Sequence, residues 1–155
     1  MTNSMTVRSA LPQRLDSEPQ LDTHPEIRLE FDQVQLAARQ RYDRAFLLVD
    51  PKIIRTKARR FKAAMPRVHP HYAVKANPHP EVLKTLVDEG VSFEIASIAE
   101  LDLLLGLGVP VEEIYYSNPV KSRAYLQYAA DRGVQWYVVD SLEELRKIVA
   151  IKPDA

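Results

Sequence analysis

What most constrains this chain is a regular alternation of short strand-forming runs with amphipathic helical segments, repeated from Ala45 through Ala155. The strand runs centre near residues 72, 94, 116 and 137, so one strand-plus-helix unit takes about 22 residues and its loops are short. Strands joined through a helix at this spacing pair in parallel by right-handed crossovers. Two architectures accommodate such a chain: a doubly wound open sheet, or part of a (β/α)8 barrel. A whole barrel takes roughly 250 residues, whereas this chain has 155 and supplies five strand-like runs. The fold class expected is α/β, and any barrel in it is a partial one.

Local signals delimit each unit. Ala45–Val49 is a short apolar run, and Asp50-Pro51 opens a helical pattern through Ile54, Ala58, Phe61 and Met65. His71–Val74 reads as the next strand. A helix led by Pro80 follows, with Val82, Leu83, Leu86 and Val87, and it stops at Gly90, where a left-handed cap suits glycine. Val91–Ala96 is a strand that runs into Ser97-Ile98-Ala99-Glu100, a capping box in which serine and glutamate satisfy each other's free amides. Its helix carries Leu101, Leu104 and Leu105 and ends at Gly108. Ile114–Ser117 is a strand, Lys121–Arg132 a helix closed by Gly133, and Gln135–Val139 the last strand. Ser141-Leu142-Glu143-Glu144 repeats the capping-box pattern and opens a helix that ends before Pro153.

Upstream, residues 1–24 are rich in Ser, Thr, Pro, Gln and Asp, with too few apolar side chains to offset the entropy of ordering, so a mobile leader is expected there. Ile27, Phe31, Val34, Ala38 and Tyr42 then recur at helical spacing, so the folded portion is expected over residues 25–155.

The charge balance narrows the partners. Lys plus Arg total 21 and Asp plus Glu total 21, so no net basic field is available to hold a nucleic acid. Without cysteine, disulfides, thiolate metal sites and a cysteine nucleophile are excluded from these residues. No run of about 18 apolar residues occurs, and residues 1–26 lack the apolar centre of a secretory signal. A soluble, cytoplasmic protein without a membrane partner is the expectation.

Alternation along two strands shows where chemistry would sit. In Val91–Ala96 the large apolar residues share one face, while Ser92, Glu94 and Ala96 share the other. In His71–Asn77 the bulky pair Tyr72 and Val74 opposes a face of His71, Ala73, Lys75 and Asn77. The bulky faces should pack on helices and the small, polar faces should point into the barrel. If these strands are neighbours, Lys75 and Glu94 meet near their carboxyl ends, where α/β proteins build ligand sites. A lysine there serves as a point charge for phosphate, as a base when desolvated, or as an amine that condenses with an aldehyde. It equally well ends a strand in solvent and pairs with Glu94.

The stretch Tyr72-Ala73-Val74-Lys75-Ala76-Asn77-Pro78 resembles the cofactor-lysine motif of the alanine-racemase-fold decarboxylases, which include ornithine, lysine, diaminopimelate and arginine decarboxylases. Similar too are Phe93-Glu94-Ile95-Ala96-Ser97 with Glu100-Leu101, and Leu107-Gly108-Val109-Pro110. The series continues with Ile114-Tyr115-Tyr116-Ser117-Asn118-Pro119 and Lys121, then Tyr128-Ala129-Ala130 before Gly133-Val134-Gln135 and Asp140-Ser141. The ordered resemblance runs from about Ala45 to Ala155 and is nearest in wording to the ornithine decarboxylase branch.

It implies the N-terminal part of a barrel that binds pyridoxal 5'-phosphate, followed in full-length members by a β-domain, with active sites shared across a homodimer. By that match Lys75 carries the cofactor, with Ala73 and Glu94 beside it. Glu94 stands where the family commonly has aspartate, so the charge is kept and the reach lengthened. The implied activity is decarboxylation of a basic amino acid, ornithine or lysine, yielding a polyamine precursor such as putrescine. The resemblance puts the ring-stacking histidine, the glycine-rich phosphate cradle, the glutamate facing the pyridine nitrogen and the partner-subunit cysteine and aspartate after Ala155, so this chain reads as an incomplete catalytic unit. The alternative is a non-catalytic decarboxylase-like protein that binds decarboxylase subunits. A third reading, a pyridoxal-phosphate carrier, explains the lysine and leaves the downstream motifs unexplained.

Other residues have structural explanations. His69 and His71, with His79 further on, lack a third ligand at convincing spacing, so no metal is expected. His71 is expected on the barrel floor and His79 in a Pro-His-Pro turn. Tyr115, Tyr116, Trp136 and Tyr137 are expected in the core and against helices, because they lie within strands.

Overall fold

A computed structural model describes residue 47 and residues 49–155. The expected leader, the helix over residues 27–42 and most of the strand 45–49 lie outside the described residues.

The first helix, α1 (Pro51–Ala64), starts where the sequence dictates. Asp50 caps it by accepting the Lys52 amide at 2.8 Å, and Pro51 at the first helical position gives up no intrahelical bond. After it come β1 (His71–Ala73), a 3-10 turn (Val74–Ala76) and α2 (Pro80–Asp88). Next are β2 (Ser92–Ile95), α3 (Ile98–Gly106), a 3-10 turn (Val111–Glu113) and β3 (Ile114–Tyr116). The chain closes with α4 (Arg123–Asp131), β4 (Trp136–Tyr137) and α5 (Leu142–Ile151).

The described strands form one four-stranded sheet in the order β1-β2-β3-β4, every pair parallel. Strand follows strand without reversal of order, as in a barrel wall and unlike a doubly wound sheet. Tyr72, Phe93 and Ile114 are in register, as are Ile95, Tyr116 and Tyr137, and these rows face the helices. Phe93, Ile95, Ile114 and Tyr116 are buried against Val82, Leu83 and Leu86 of α2, Leu101 and Leu104 of α3, and Ala129 of α4. Removing this apolar area from water is the main stabilising term.

Charge adds a clamp between helices. Arg55 and Arg59 of α1 pair with Glu89 at 3.0 and 2.8 Å just past α2, and the Lys62 ammonium donates to the Glu89 carbonyl at 2.7 Å. Gly90 follows with φ of +63°, a left-handed turn that releases the chain into β2.

Three expectations are corrected. The strand read over His71–Val74 ends at Ala73, and Lys75 sits in the 3-10 turn that follows: Val74 turns into the core, where it is wholly buried, and Asn77 before Pro78 is extended again (φ −160°, ψ 102°). The box at Ser97 is complete, whereas that at Ser141 is only half made: Ser141 accepts the Glu144 amide at 3.2 Å, but the Glu144 carboxylate turns inward to Lys121. Among the four strand aromatics, Tyr116 is buried and Tyr137 half-buried on the helix side, but Tyr115 and Trp136 stack on the opposite face (ring centroids 5.6 Å apart) and Trp136 is 52% exposed. Position within a strand does not choose a face; the pleat does.

Candidate functional site

On the sheet face away from the helices, Ala73, Glu94, Tyr115 and Trp136 form one row across all four strands. His71 and Ser92 form the row beneath it. The strand that leads into Lys75 and the one that carries Glu94 are therefore neighbours, with Ala73 opposite Glu94. Lys75 lies two residues past Ala73 at the carboxyl end of β1.

The turn that presents Lys75 is held on both sides. Val74, wholly buried, anchors it in the core. The Tyr72 hydroxyl donates across it to the Asn77 carbonyl at 3.4 Å, and Asn77 Oδ1 accepts the His79 amide at 3.1 Å. His79 is more than a turn residue, since its Nδ1 caps α2 by accepting the Glu81 amide at 3.2 Å. Between these fixed points the Lys75 side chain is exposed and makes no hydrogen bond or ion pair among the described residues. Glu94 is half-buried and likewise has no ion pair there, so the pairing of Lys75 with Glu94 is not made. An exposed amine on a braced turn, beside a carboxylate on the next strand, suits covalent capture of an aldehyde cofactor.

The rim continues over β2 and β3. Glu100 Oε2 accepts the amides of Ala96 and Ser97 at 2.6 and 3.0 Å, so the bend after β2 is fixed by the helix it leads into. Ser117 Oγ and Asn118 Nδ2 donate back to the carbonyls of Ile95 and Ala96 at 3.2 and 3.5 Å, tying the end of β3 to that of β2.

Beneath the rim the floor is polar and aromatic. His71 meets Tyr115 edge-on at 4.2 Å and His69 at 5.2 Å. Burial and the neighbouring His69 push the His71 imidazole below its ordinary pKa, with Glu113 and Glu94 opposing. His69 Nε2 lies 2.5 Å from Ser92 Oγ, which donates to Glu113. The sequence put His71 on this floor and Ser92 on the same face but missed the link of His69 and Ser92 to Glu113; its signal was a polar residue at or just before the start of each of three successive strands. Among the described residues no three His, Cys, Asp or Glu side chains gather in an arrangement able to hold a metal ion. An apolar cavity of about 580 Å³ lies between α1, α2 and β1, lined by Ile54, Ala58, Phe61 and Val82, but neither Lys75 nor Glu94 borders it.

Known proteins share this fold. Residues 52–155 match the family described as "Pyridoxal-dependent decarboxylase, pyridoxal binding domain". Ornithine decarboxylase of Schizosaccharomyces pombe is 40% identical over 111 residues, covering 72% of this chain and 26% of the relative. That of Mus musculus is 42% identical over 111 residues, covering 72% of this chain and 24% of the relative. The lysine/ornithine decarboxylase of Vibrio vulnificus, solved with putrescine, superposes with a TM-score of 0.76 at 36% identity, over 81% of this chain and 35% of that one. Ornithine decarboxylase of Entamoeba histolytica superposes with a TM-score of 0.75 at 32% identity, over 81% and 38%. The chain thus spans about a quarter of the length of these curated relatives, and its sheet is part of an alanine-racemase-like barrel. The matched domain is the pyridoxal-binding one, so the cofactor is pyridoxal phosphate. No helix among the described residues is long and apolar enough to cross a membrane. With its parallel sheet, its lysine-bearing turn and this match over residues 52–155, the chain belongs to the pyridoxal-dependent decarboxylase family.

Proposed function

We propose that this chain supplies the cofactor-lysine portion of a cytoplasmic decarboxylase that acts on a basic amino acid, L-ornithine first, giving putrescine. What supports the reading is the exposed Lys75 amine on its braced turn at the carboxyl end of β1, with Glu94 on the adjoining strand, in a chain whose relatives include ornithine decarboxylases. Solved relatives complexed with putrescine and with cadaverine support a basic substrate.

Pyridoxal phosphate, when bound, supplies an aldehyde that condenses with an amine and a ring that accepts the electron pair left as the carboxylate departs. Lys75 would hold the cofactor through its side-chain amine. Glu94 holds a negative charge beside that amine and orients it. Ala73, in the same row as Glu94, keeps the space between them open because its side chain is a single methyl. The active enzyme in this reading is a homodimer with sites shared between subunits.

The experiment is direct. The purified chain is mixed with pyridoxal phosphate and reduced with borohydride, and the label is mapped by mass spectrometry. Label confined to Lys75 is expected; label spread over many lysines overturns the reading. Turnover is proposed for the assembled enzyme, so release of carbon dioxide from ornithine by these 155 residues alone is not expected, and its detection would refute that part.

A further inference from the structure

Lys121 is a buried charge that the chemistry above leaves unused. The residue is 2% exposed. Its ammonium donates to the carbonyls of Asn118 and Val138, both at 2.7 Å, and of Pro119 at 3.5 Å. It lies 3.4 Å from the Glu144 carboxylate and 5.6 Å from the centre of the Tyr116 ring. Glu144 also accepts the Lys121 amide at 3.1 Å and faces the Lys147 ammonium at 2.5 Å, while Lys147 donates to the Lys121 carbonyl.

Stability by itself does not account for this arrangement. Burying an ammonium and a carboxylate incurs a desolvation penalty that well-packed apolar side chains of similar size avoid. What apolar side chains cannot do is hold carbonyls from two separate loops at once. Asn118 and Pro119 belong to the loop after β3, and Val138 to the loop after β4. From Asn118 and Ser117 the hydrogen bonds continue to Ala96 and Ile95, immediately beyond Glu94. Lys121 thus stands at the hub of a continuous line that joins the carboxyl ends of β2, β3 and β4.

We infer that Lys121, paired with Glu144, is a positioning residue of the cofactor site, clamping the loops after β3 and β4 so that the rim facing Lys75 is formed before the cofactor arrives. This rests on the function proposed above. A preformed rim matters because binding to a wandering one must first order it. The Glu144 carboxyl keeps its charge in this buried setting. Burial acts to raise its pKa, but hydrogen bonds from the Lys147 side chain and the Lys121 amide hold it below the ordinary value.

Three variants of the 155-residue chain test the clamp, namely Lys121→Met, the double variant Lys121→Met/Glu144→Gln, and Asn118→Ala. Each is compared with the parent for melting temperature, amide hydrogen exchange, and the pyridoxal phosphate concentration giving half-maximal borohydride label at Lys75. Lys121→Met leaves Glu144 buried with one cation fewer, so it lowers the melting temperature, speeds loop exchange and raises the cofactor concentration required. In the double variant the pair is gone and Lys147 also loses its carboxylate, so the melting temperature stays below that of the parent. The loop amides of Ser117 and Val138, bonded to the Ile95 and Tyr116 carbonyls in the parent, exchange faster, and half-maximal label requires ~10-fold more cofactor. A double variant with parental loop exchange and parental cofactor dependence overturns the inference. Should that variant fail to fold, Asn118→Ala decides: it keeps the buried pair and cuts the link to Ala96, so unchanged cofactor dependence overturns the inference as well. Unselective labelling of the parent would refute the proposed function instead, and loop exchange would still judge the clamp.

Discussion

Deleting the Glu100 carboxylate should cost more than deleting the Ser97 hydroxyl that gives this capping box its name. Glu100 Oε2 accepts two amides, from Ala96 at 2.6 Å and Ser97 at 3.0 Å, whereas Ser97 Oγ receives the Glu100 amide at 3.4 Å. A hydrogen bond to a charged group contributes roughly 1.5–3 kcal/mol. The two amides share one oxygen, so their contributions fall short of a sum, and Glu100→Ala is expected to cost about 2–3 kcal/mol. The serine bond lies beyond the usual N–H···O range, so Ser97→Ala should fall near the low end of cap deletions, ~0.5–1 kcal/mol. Glu100→Gln keeps an acceptor and loses the charge, which puts it between the two at about 1.5 kcal/mol.

The assay is urea unfolding followed by circular dichroism, with amide exchange at Ala96 and Ser97 as the local readout. Native domains have only about 5–15 kcal/mol to lose, so Glu100→Ala should shift the midpoint visibly and release both amides. If Ser97→Ala costs as much as Glu100→Ala, or if the two amides stay protected without the carboxylate, the reasoning fails.

Three more outcomes follow from the same structure. Hydrogen bonds from Arg59, aided by its charge and those of Arg55 and Lys62, hold the Glu89 carboxyl below its ordinary value against the opposing effect of burial. A depressed carboxyl stabilises the fold fully above the unfolded value of about 4.3, and that contribution is lost as pH falls through the folded value. Melting temperatures of the parent and Glu89→Gln should therefore converge on acidification, and parallel curves would contradict the linkage. At Gly90 an added Cβ meets only the tip of Lys62, at 3.5 Å, so strain from the positive φ dominates. Gly90→Ala should cost ~1–2 kcal/mol and Gly90→Asn less, because Asn tolerates this conformation better; equal losses in urea midpoints would point to crowding instead. Finally, β4 pairs only with β3 among the described residues, and Trp136, Val138 and Val139 beside that edge are 52%, 46% and 39% exposed. Concentration-dependent self-association is expected in sedimentation velocity, weakened by Trp136→Lys; equal association of parent and variant would exonerate this edge.

Much of this was legible in the chain itself. The period of about 22 residues, the parallel order and the strand centres follow from where apolar runs and helix punctuation fall, since both are local properties of sequence. Alternation likewise put Glu94 and Ala73 on the face away from the helices, and the structure pairs them in register. The Ser97 box was readable because all its partners lie within four residues.

Where an element needed a partner from another unit, the sequence was silent. Glu144 has the same local pattern as Glu100, yet its carboxylate belongs to Lys121, which lies 23 residues earlier and so one strand-helix unit away. That spacing was the available hint, because residues one period apart occupy equivalent places in adjacent units. The turn at Lys75 depended on Val74 finding the core and on Tyr72 reaching Asn77. Tyr115 and Trp136 part from Tyr116 and Tyr137 only once parallel register stacks them across two strands. The sequence by itself determined the kind of fold, because periodicity and short-range capping are written residue by residue; Lys75 was singled out for a cofactor only through the resemblance of its motif. Tertiary structure decided which charges face one another, because only the packed register brings distant residues within hydrogen-bonding reach.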